Sequence, residues 1–227
     1  ILMLLYIIYL LLTPILWVLI VVSSLFQFKI RENHSSFYKR LRVIKKYLKE
    51  SNNNKKILLF HAASAGEYEQ LKPLLRLINK REYFIIQSFT SPTIYNKEKD
   101  SLLFDISCYH PFDFFWSAIR FFNVIKPHAY ITTRHDIWPA HIYIAQRLGI
   151  DIYLVNGNIH QSLRFHWALQ HFNRWLFGKF KHIFVESDIL RDRYSMLVSK
   201  NKITVTGDTR YEQIVHRTKN NQMNHFS

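Results

Sequence analysis

The sequence predicts an α/β fold, in which helices cover both faces of a parallel sheet. Short apolar runs alternate along the chain with stretches whose apolar residues recur at helical spacing, which is typical of parallel strands joined by helices. The region from 57 to 212 shows no internal repeat, and about 155 residues suffice for one domain with its own core. We therefore expect a single Rossmann-like domain over residues 57–212.

The predicted elements follow one another in strict alternation. Each strand is a short, mainly apolar run, and each helix is a longer stretch with a periodic apolar face. We expect strands at 57–60, 84–87, 129–132, 152–155, 183–185 and 203–205, and helices at 69–80, 114–122, 139–148, 162–177 and 188–197. Residues 213–227 are polar and lack apolar periodicity, so they are predicted to form a disordered tail.

The chain begins with an uncharged segment. Residues 1–28 contain no Asp, Glu, Lys or Arg, and a helix of about 20 apolar residues is long enough to span a bilayer. We therefore expect residues 1–28 to form a membrane anchor helix; the alternative is a helix buried in a protein core.

The segment that follows is basic. Residues 29–56 contain ten Lys or Arg and two acidic residues, which supply +8 of the formal net charge of +15. The positive-inside rule places such a segment on the cytoplasmic face of the inner membrane, where it would bind anionic lipids. Its apolar residues suit an amphipathic helix lying on the membrane, with a solvated linker helix as the alternative: Tyr38, Leu41, Ile44, Tyr47 and Leu48.

The same positive charge raises nucleic acid as a partner. The charge is concentrated beside the apolar segment, and no base-reading motif is present, so no nucleic-acid partner is predicted. Cys108 is the only cysteine. It permits no intrachain disulfide, which agrees with a reducing compartment, and its apolar neighbours predict a buried side chain.

The most informative motif is HAASAGE, His61 to Glu67, which lies between a predicted strand and a predicted helix. In open α/β sheets, ligands bind at such turns. Ser64 and Gly66 are small enough for a ligand to approach the backbone, and a helix N-terminus attracts anions. Glu67 places one carboxylate at this turn. The alternative is an ordinary helix start, because an acidic residue there suits the helix dipole.

HAASAGE resembles the HAxSxGE signature of the 3-deoxy-D-manno-octulosonic acid (Kdo) transferase family. Five further segments resemble family motifs in the same order, between about residues 57 and 212. They are Ser91-Pro92-Thr93 (SPSG or TPTG), His110-Pro111-Phe112-Asp113 (LPxD), Ile137-Trp138-Pro139 (the end of ETELWPN), Asn156-Gly157-Asn158 (NAR) and the block from Val205 to Tyr211 (VTGNLKF).

The chain also departs from these motifs. Where the family has Glu-Thr-Glu, the chain has Arg134, His135 and Asp136, so the first carboxylate is replaced by a cation and the second is one methylene shorter. The other departures are Ile94 for Gly, Asn158 for Arg, Asp208 for Asn and Arg210 for Lys.

The resemblance implies a two-domain glycosyltransferase of the GT-B type, of which this chain would be the N-terminal, acceptor-binding half. It further implies inverting transfer of Kdo from CMP-Kdo to a lipid A precursor, a step of lipopolysaccharide core synthesis. The donor CMP-Kdo would bind a missing or separate C-terminal domain. Glu67 would be the general base, and the residues that would bind substrate are Ser64, Gly66, Ser91, Asp136, Asn156 and Arg210.

No cofactor and no metal are expected. His135, Asp136 and His141 could ligate a metal ion, but their spacing matches no zinc pattern. The leading alternative to an enzyme is a degenerate, non-catalytic, membrane-anchored domain that binds a glycolipid or a partner subunit. A tethered structural protein without a ligand is a third possibility.

Overall fold

The computed structural model describes residues 28–50, 55–159 and 167–225, together with positions 15, 17–19, 22 and 23. The strands are β1 Lys56–Ala62, β2 Tyr83–Phe89, β3 Ile106–Tyr109, β4 Ala129–Thr133, β5 Asp151–Gly157, β6 His182–Val185 and β7 Ile203–Val205. The main helices are α1 Phe28–Glu50, α2 Ala65–Leu77, α3 Pro92–Glu98, α4 Phe115–Ile125, α5 Pro139–Arg147, α6 Trp167–Phe177, α7 Asp188–Ser195 and α8 Thr209–His225.

The seven strands form one sheet in the order β3-β2-β1-β4-β5-β6-β7, and every pairing is parallel. The predicted α/β fold with a parallel sheet is therefore confirmed. The strand order runs outward in one direction from β1 and in the other from β4. The connections consequently leave a crevice beyond the carboxyl ends of these two strands, where ligands of doubly wound sheets bind.

All six predicted strands are present, but the sequence missed β3 and α3. β3 has only four residues, and Ser107 interrupts its apolar pattern. Within it Cys108 is 1% exposed, as predicted, and burial raises the pKa of its thiol so that it stays protonated. Helix α6 is described from Trp167 onward, and the predicted start of this helix at residue 162 lies outside the described residues.

Helix α1 forms, but it does not offer an apolar face to a membrane as predicted. Phe37, Leu41 and Ile44 are 4%, 3% and 1% exposed, and they belong to the domain core. The ring centroid of Phe37 lies 6.0 Å from that of Phe121 in α4. The expected surface helix is thus an integral layer of the domain, whose core begins before residue 57, and the mainly basic side of α1 faces outward.

The predicted disordered tail from 213 to 227 is instead helical as far as His225, as part of α8. Gln213 is buried between two α2 residues: Arg76 Nη2 donates to Gln213 Oε1 at 2.5 Å, and Gln213 Nε2 donates to Glu69 Oε2 at 2.7 Å. Arg217 also pairs with Glu69 at 2.7 Å. Polar contacts hold this helix to the domain, so its sequence carries little apolar periodicity.

The predicted anchor, residues 1–28, lies almost entirely outside the described residues. Among those that are described, no helix is both long enough and apolar enough to cross a bilayer.

The burial of α1 can be tested by truncating one side chain on each of its faces. Ile44→Ala should lower the free energy of unfolding by about 2–5 kcal/mol, since it leaves a cavity in a packed core. Val43 is 45% exposed on the outer face, so Val43→Ala should change it by less than about 0.5 kcal/mol. Urea denaturation of both variants measures the difference. Equally small effects would show that α1 does not belong to the core.

Candidate active site at the carboxyl ends of the strands

Glu67 lies in the first turn of α2, immediately beyond β1. Its Oε2 accepts hydrogen bonds from the backbone N–H groups of Ala63 at 3.0 Å and Ser64 at 2.9 Å, and from Ser64 Oγ at 3.0 Å. Ser64 Oγ in turn accepts from Glu67 N at 3.4 Å, which completes a capping box. Glu67 thus also serves as an ordinary acidic residue at a helix start, and the capping box holds its carboxylate in a fixed place.

The half-buried position of Glu67 alters its acidity. Burial and the nearby Asp136 carboxylate raise the pKa of Glu67, while hydrogen bonds from Ser64 and the proximity of His61 offset this only in part. A carboxylate with a raised pKa binds a proton more readily near neutral pH. This is the property that a general base requires.

Gly66 leaves the surface beside Glu67 open. A Cβ added at Gly66 would meet nothing within 4 Å, so neither packing nor backbone conformation requires glycine here. Glycine inside a helix costs roughly 0.5–1 kcal/mol relative to alanine. Its absent side chain leaves open space at the residue that precedes Glu67 in the chain, which a ligand can occupy.

Asp136 follows β4 and turns back over the end of β1. Its Oδ2 lies 2.6 Å from His61 Nε2, an ion-pair contact off the hydrogen-bond axis, and its Oδ1 accepts from the indole N–H of Trp138. Burial of the Asp136 carboxyl favours its protonated form, but His61 and Trp138 outweigh this and hold its pKa below the usual value. Asp136 is therefore a buried, ionised carboxylate.

His61 is the first of three histidines whose rings pack against one another beneath Asp136, and none of the three is exposed to solvent. The ring centroids of His61 and His110 are 3.7 Å apart, and those of His110 and His141 are 4.5 Å apart. Burial, with His61 and His141 close by, lowers the pKa of His110 well below its usual range, so His110 is neutral.

Asp113 connects this stack to helix α5. Its Oδ1 accepts from the backbone N–H groups of Ala140 at 3.0 Å and His141 at 3.1 Å, and it lies 2.8 Å from His141 Nδ1. Asp113 thus satisfies unpaired donors at the start of α5, as a capping residue does. The carboxylate therefore fixes the helix that carries His141.

A second polar cluster occupies the same edge of the sheet, near β5. Asn156 is fully buried, and its Nδ2 donates to Thr209 Oγ1 at 2.6 Å. One amide atom of buried Gln70 lies 3.2 Å from Arg134 Nη1 and 3.3 Å from Arg210 Nε, and only its oxygen can accept from both groups. Arg134 and Asn156 have φ angles of 52° and 50°, a left-handed conformation that is uncommon outside glycine.

Two carboxylates accompany the arginines of this cluster. Arg210 Nη2 and Nε both lie 2.6 Å from Asp208 Oδ2, and Glu186 Oε2 is 3.7 Å from Arg210 Nη2. Burial and the neighbouring Asp208 raise the pKa of Glu186, whereas hydrogen bonds from Arg210 outweigh partial burial and lower that of Asp208. The cluster is therefore close to neutral and can exchange internal ion pairs for contacts with a ligand.

The residues singled out from the sequence all lie along the carboxyl edge of the sheet, and all but Ser91 fall into two groups. Ser64, Gly66, Glu67 and Asp136 come together at the ends of β1 and β4. Asn156 and Arg210 belong to the second cluster. Ser91 follows β2 and starts α3, but its side chain makes no capping hydrogen bond there.

Sequence reasoning did not assign roles to several residues of the site, namely His61, Gln70, His110, Asp113, Glu186 and Ser88, whose Oγ lies 3.1 Å from His61 Nδ1. His61, His110 and Asp113 lie within the sequence motifs, but nothing in those motifs indicated that the three side chains pack together. The three metal-ligand candidates do not converge: Asp136 contacts His61, and His141 contacts Asp113. In the part of the chain that is described, no group of three or more His, Cys, Asp or Glu side chains could hold a metal ion.

Solved structures with a similar fold include UDP-GlcNAc 2-epimerases. The enzyme from Neisseria meningitidis bound to UDP-GlcNAc aligns with a TM-score of 0.56 at 13% identity, covering 74% of this chain and 51% of that one. The enzyme from Methanocaldococcus jannaschii gives 0.51 at 18% identity, covering 70% and 47%. Identities this low support a shared Rossmann-like fold alone.

Relatives found by sequence similarity identify the family more narrowly than the similar folds do. The chain is 25% identical over 160 residues to 3-deoxy-D-manno-octulosonic acid transferase from Haemophilus influenzae, covering 68% of this chain and 38% of the relative. It is 36% identical over 104 residues to the transferase of the same name from Aquifex aeolicus, covering 43% and 28%. The chain thus spans less than two fifths of the length of these relatives.

The family described as 3-Deoxy-D-manno-octulosonic-acid transferase (kdotransferase) matches residues 35–213. The match extends from the middle of α1 into α8 and so includes both polar clusters and every strand of the sheet. The chain belongs to the Kdo transferase family.

Proposed function

We propose that this chain is the acceptor-binding part of a Kdo transferase, which transfers Kdo from CMP-Kdo to a lipid A precursor. The observation that carries the proposal is the carboxylate of Glu67. It is fixed at the start of α2, its pKa is raised by burial and by Asp136, and the residue before it, Gly66, leaves its own side-chain position open.

In the proposed reaction, Glu67 accepts the proton of an acceptor hydroxyl as that oxygen attacks the anomeric carbon of CMP-Kdo. A new carbon–oxygen bond forms, the bond from the anomeric carbon to the phosphate oxygen breaks, and CMP leaves with the bonding electrons. The configuration at the anomeric carbon inverts. The chemistry requires no cofactor, and the donor would bind a C-terminal domain beyond the part of the relatives that this chain matches.

In this proposal the two polar clusters bind different parts of the substrate. Ser64 and Gly66 shape the surface on which the acceptor hydroxyl meets Glu67, and Asp136 sets the charge beside it. Ser91 and Arg210 contact the rest of the substrate, and the buried Asn156 supports this surface from below through its hydrogen bond to Thr209 Oγ1. The paired charges around Arg210 can rearrange to accept an anionic group, because a guanidinium binds carboxylate or phosphate through several parallel donors.

The proposed location is the cytoplasmic face of the inner membrane, with residues 1–28 as the anchor. The outer side of α1 would contact anionic lipids, since its apolar side is buried in the domain. Six of its basic residues are exposed: Arg31, Lys39, Arg42, Lys45, Lys46 and Lys49. Each such charge near an anionic surface contributes about 1 kcal/mol.

Replacing Glu67 by Gln tests the catalytic assignment. The amide keeps the shape of the side chain but cannot act as a base, so turnover should fall by about two to four orders of magnitude. Acceptor binding should change far less, because ground-state contacts are largely preserved. CMP release with a lipid A precursor as acceptor measures the rate, in the full-length enzyme or with the donor domain supplied.

Asp136→Asn is the matched comparison, and it should reduce turnover less than Glu67→Gln does. Equal rates for the wild type and Glu67→Gln would remove Glu67 from the mechanism. If the acceptor binds but no variant turns over, the degenerate glycolipid-binding alternative takes the place of the enzyme.

The pH dependence of the rate should report Glu67. A base is active when deprotonated, so activity should be lost as pH falls through the raised pKa of Glu67. Ser64→Ala removes a hydrogen bond that favours the carboxylate, and should move this acid limb to higher pH. Ser187 caps α7 in the same way, so Ser187→Ala is the control for loss of a cap. A Ser64→Ala profile that coincides with the control contradicts the assignment.

The membrane surface can be tested in a variant that begins at residue 29. Its binding to phosphatidylglycerol vesicles should be reversed by high salt. Arg42→Gln with Lys46→Gln should weaken that binding by about 30-fold, which corresponds to about 2 kcal/mol. Lys126→Gln with Lys200→Gln removes equal charge elsewhere and serves as the control. If both pairs weaken binding equally, the outer side of α1 is not a specific docking surface.

A further inference from the structure

The contact between His61 and Asp136 lies where the two proposed carboxylates of the site meet. Glu67 Oε2 binds the backbone N–H groups of Ala63 and Ser64, and Asp136 contacts His61, two residues before Ala63. Both carboxylates therefore lie over the end of the same strand. Asp136 is the charged neighbour that most strongly disfavours ionisation of Glu67, after burial itself.

The hydrogen bonds around His61 determine which of its ring nitrogens carry protons. His61 Nδ1 faces two atoms of Ser88, the carbonyl oxygen at 3.3 Å and Oγ at 3.1 Å. A carbonyl only accepts. The single hydroxyl hydrogen of Ser88 is directed to the carbonyl oxygen of Phe60 at 3.0 Å. Both Ser88 oxygens are thus acceptors toward His61, so Nδ1 carries a proton.

The neighbouring hydrogen bonds agree with this assignment. Neutral His110 places Nδ1 3.2 Å from Ser88 Oγ and Nε2 3.5 Å from the hydroxyl of Tyr130. Burial raises the pKa of Tyr130, so its hydroxyl remains a donor to Nε2, and His110 donates through Nδ1. Ser88 Oγ then accepts from two histidines and donates once, which is its full capacity.

The other nitrogen of His61 faces a carboxylate. Asp136 Oδ2 lies 2.6 Å from Nε2. The contact departs from hydrogen-bond geometry, but a lone pair on Nε2 would be repelled by a carboxylate oxygen this close, so the charge of Asp136 favours a proton on Nε2. With Nδ1 also protonated, the imidazole carries a positive charge. A buried charge is stable only when it is paired, and Asp136 supplies the partner.

We propose that His61 is a positioning residue, which fixes the Asp136 carboxylate beside Glu67 as one half of a buried imidazolium–carboxylate pair. The inference rests on the proposed function for the role of Glu67 as a base. His61 touches no reacting atom. It acts through Asp136, whose charge facing Glu67 it neutralises in part, and so it sets how strongly the base holds a proton.

The protonation state of His61 is directly measurable by ¹⁵N NMR of the full chain in detergent micelles. Both ring nitrogens of His61 should be protonated when Asp136 is ionised. In Asp136→Asn the imidazole should lose one proton, because a buried imidazole without a counter-ion is neutral. Asp136→Glu restores the charge and should restore double protonation. A neutral His61 in the wild type, with Ser88 as donor to Nδ1, would overturn the proposal.

A double-mutant cycle of His61 and Asp136, read from the pH titration of the Glu67 carboxyl NMR resonance, tests whether His61 acts on Glu67 through Asp136. Asp136→Asn should move the Glu67 titration to lower pH, since it removes a repelling charge. His61→Gln should move it to higher pH, since Asp136 then lacks its counter-ion, and should have no effect in the Asp136→Asn background. His182→Gln, at the amino end of β6, is the control. Equal shifts by His61→Gln in both backgrounds would rule out action through Asp136.

These measurements use the resting protein, so their outcome is independent of the transferase assay. A failed cycle alongside an inactive Glu67→Gln variant would remove His61 and leave the base assignment in place. Amide spectra of each variant verify folding. If His61→Gln does not fold, the Asp136→Asn and Asp136→Glu variants still decide the protonation of His61.

Discussion

The parallel pairing of β1 with β4 is the constraint on which the rest of the site depends. Leu58, Leu59 and Phe60 pair in register with Ala129, Tyr130 and Ile131, although about 70 residues separate the two strands. This pairing divides the sheet into two halves that extend in opposite directions. It also places the turn after β1, with Glu67, beside the turn after β4, with Asp136. Without it the two carboxylates would have no fixed relation to each other.

The polar residues beneath this crevice show that the core is built for more than stability. Replacing a buried ion pair by apolar side chains is often neutral or stabilising, whereas removing one partner costs about 3–5 kcal/mol. The histidine stack, Ser88 and Asp136 thus form an arrangement that tolerates little change, yet contributes little net stability. Such an arrangement makes physical sense where a charge must be held at a fixed point. The left-handed backbone at Arg134 and Asn156 is a second local cost at the same edge.

Local sequence patterns predicted much of this molecule, and the misses have identifiable causes. The six predicted strands are apolar runs, and HAASAGE is contiguous, so neighbouring residues sufficed to place Glu67. The contact of His61 with Ser88 spans 27 residues and follows from the register of β1 and β2, in which these two residues are partners. That register is not visible before the strands pair. The prediction that α1 lies on the membrane was wrong for a different reason. Its periodicity identified an apolar face, but periodicity does not reveal whether lipid or protein covers that face.

The packing of α1 has a geometric consequence for the proposed transfer to a glycolipid. A helix of 23 residues is about 35 Å long, and this one adjoins the uncharged N-terminal segment at Phe28. Because Phe37, Leu41 and Ile44 lock it to the core, it cannot swing independently of the sheet. It therefore moves as one body with the domain and is not a flexible linker. Its tilt relative to the bilayer would fix the height of the crevice, and hence how far a glycolipid headgroup must rise from the membrane to reach Glu67.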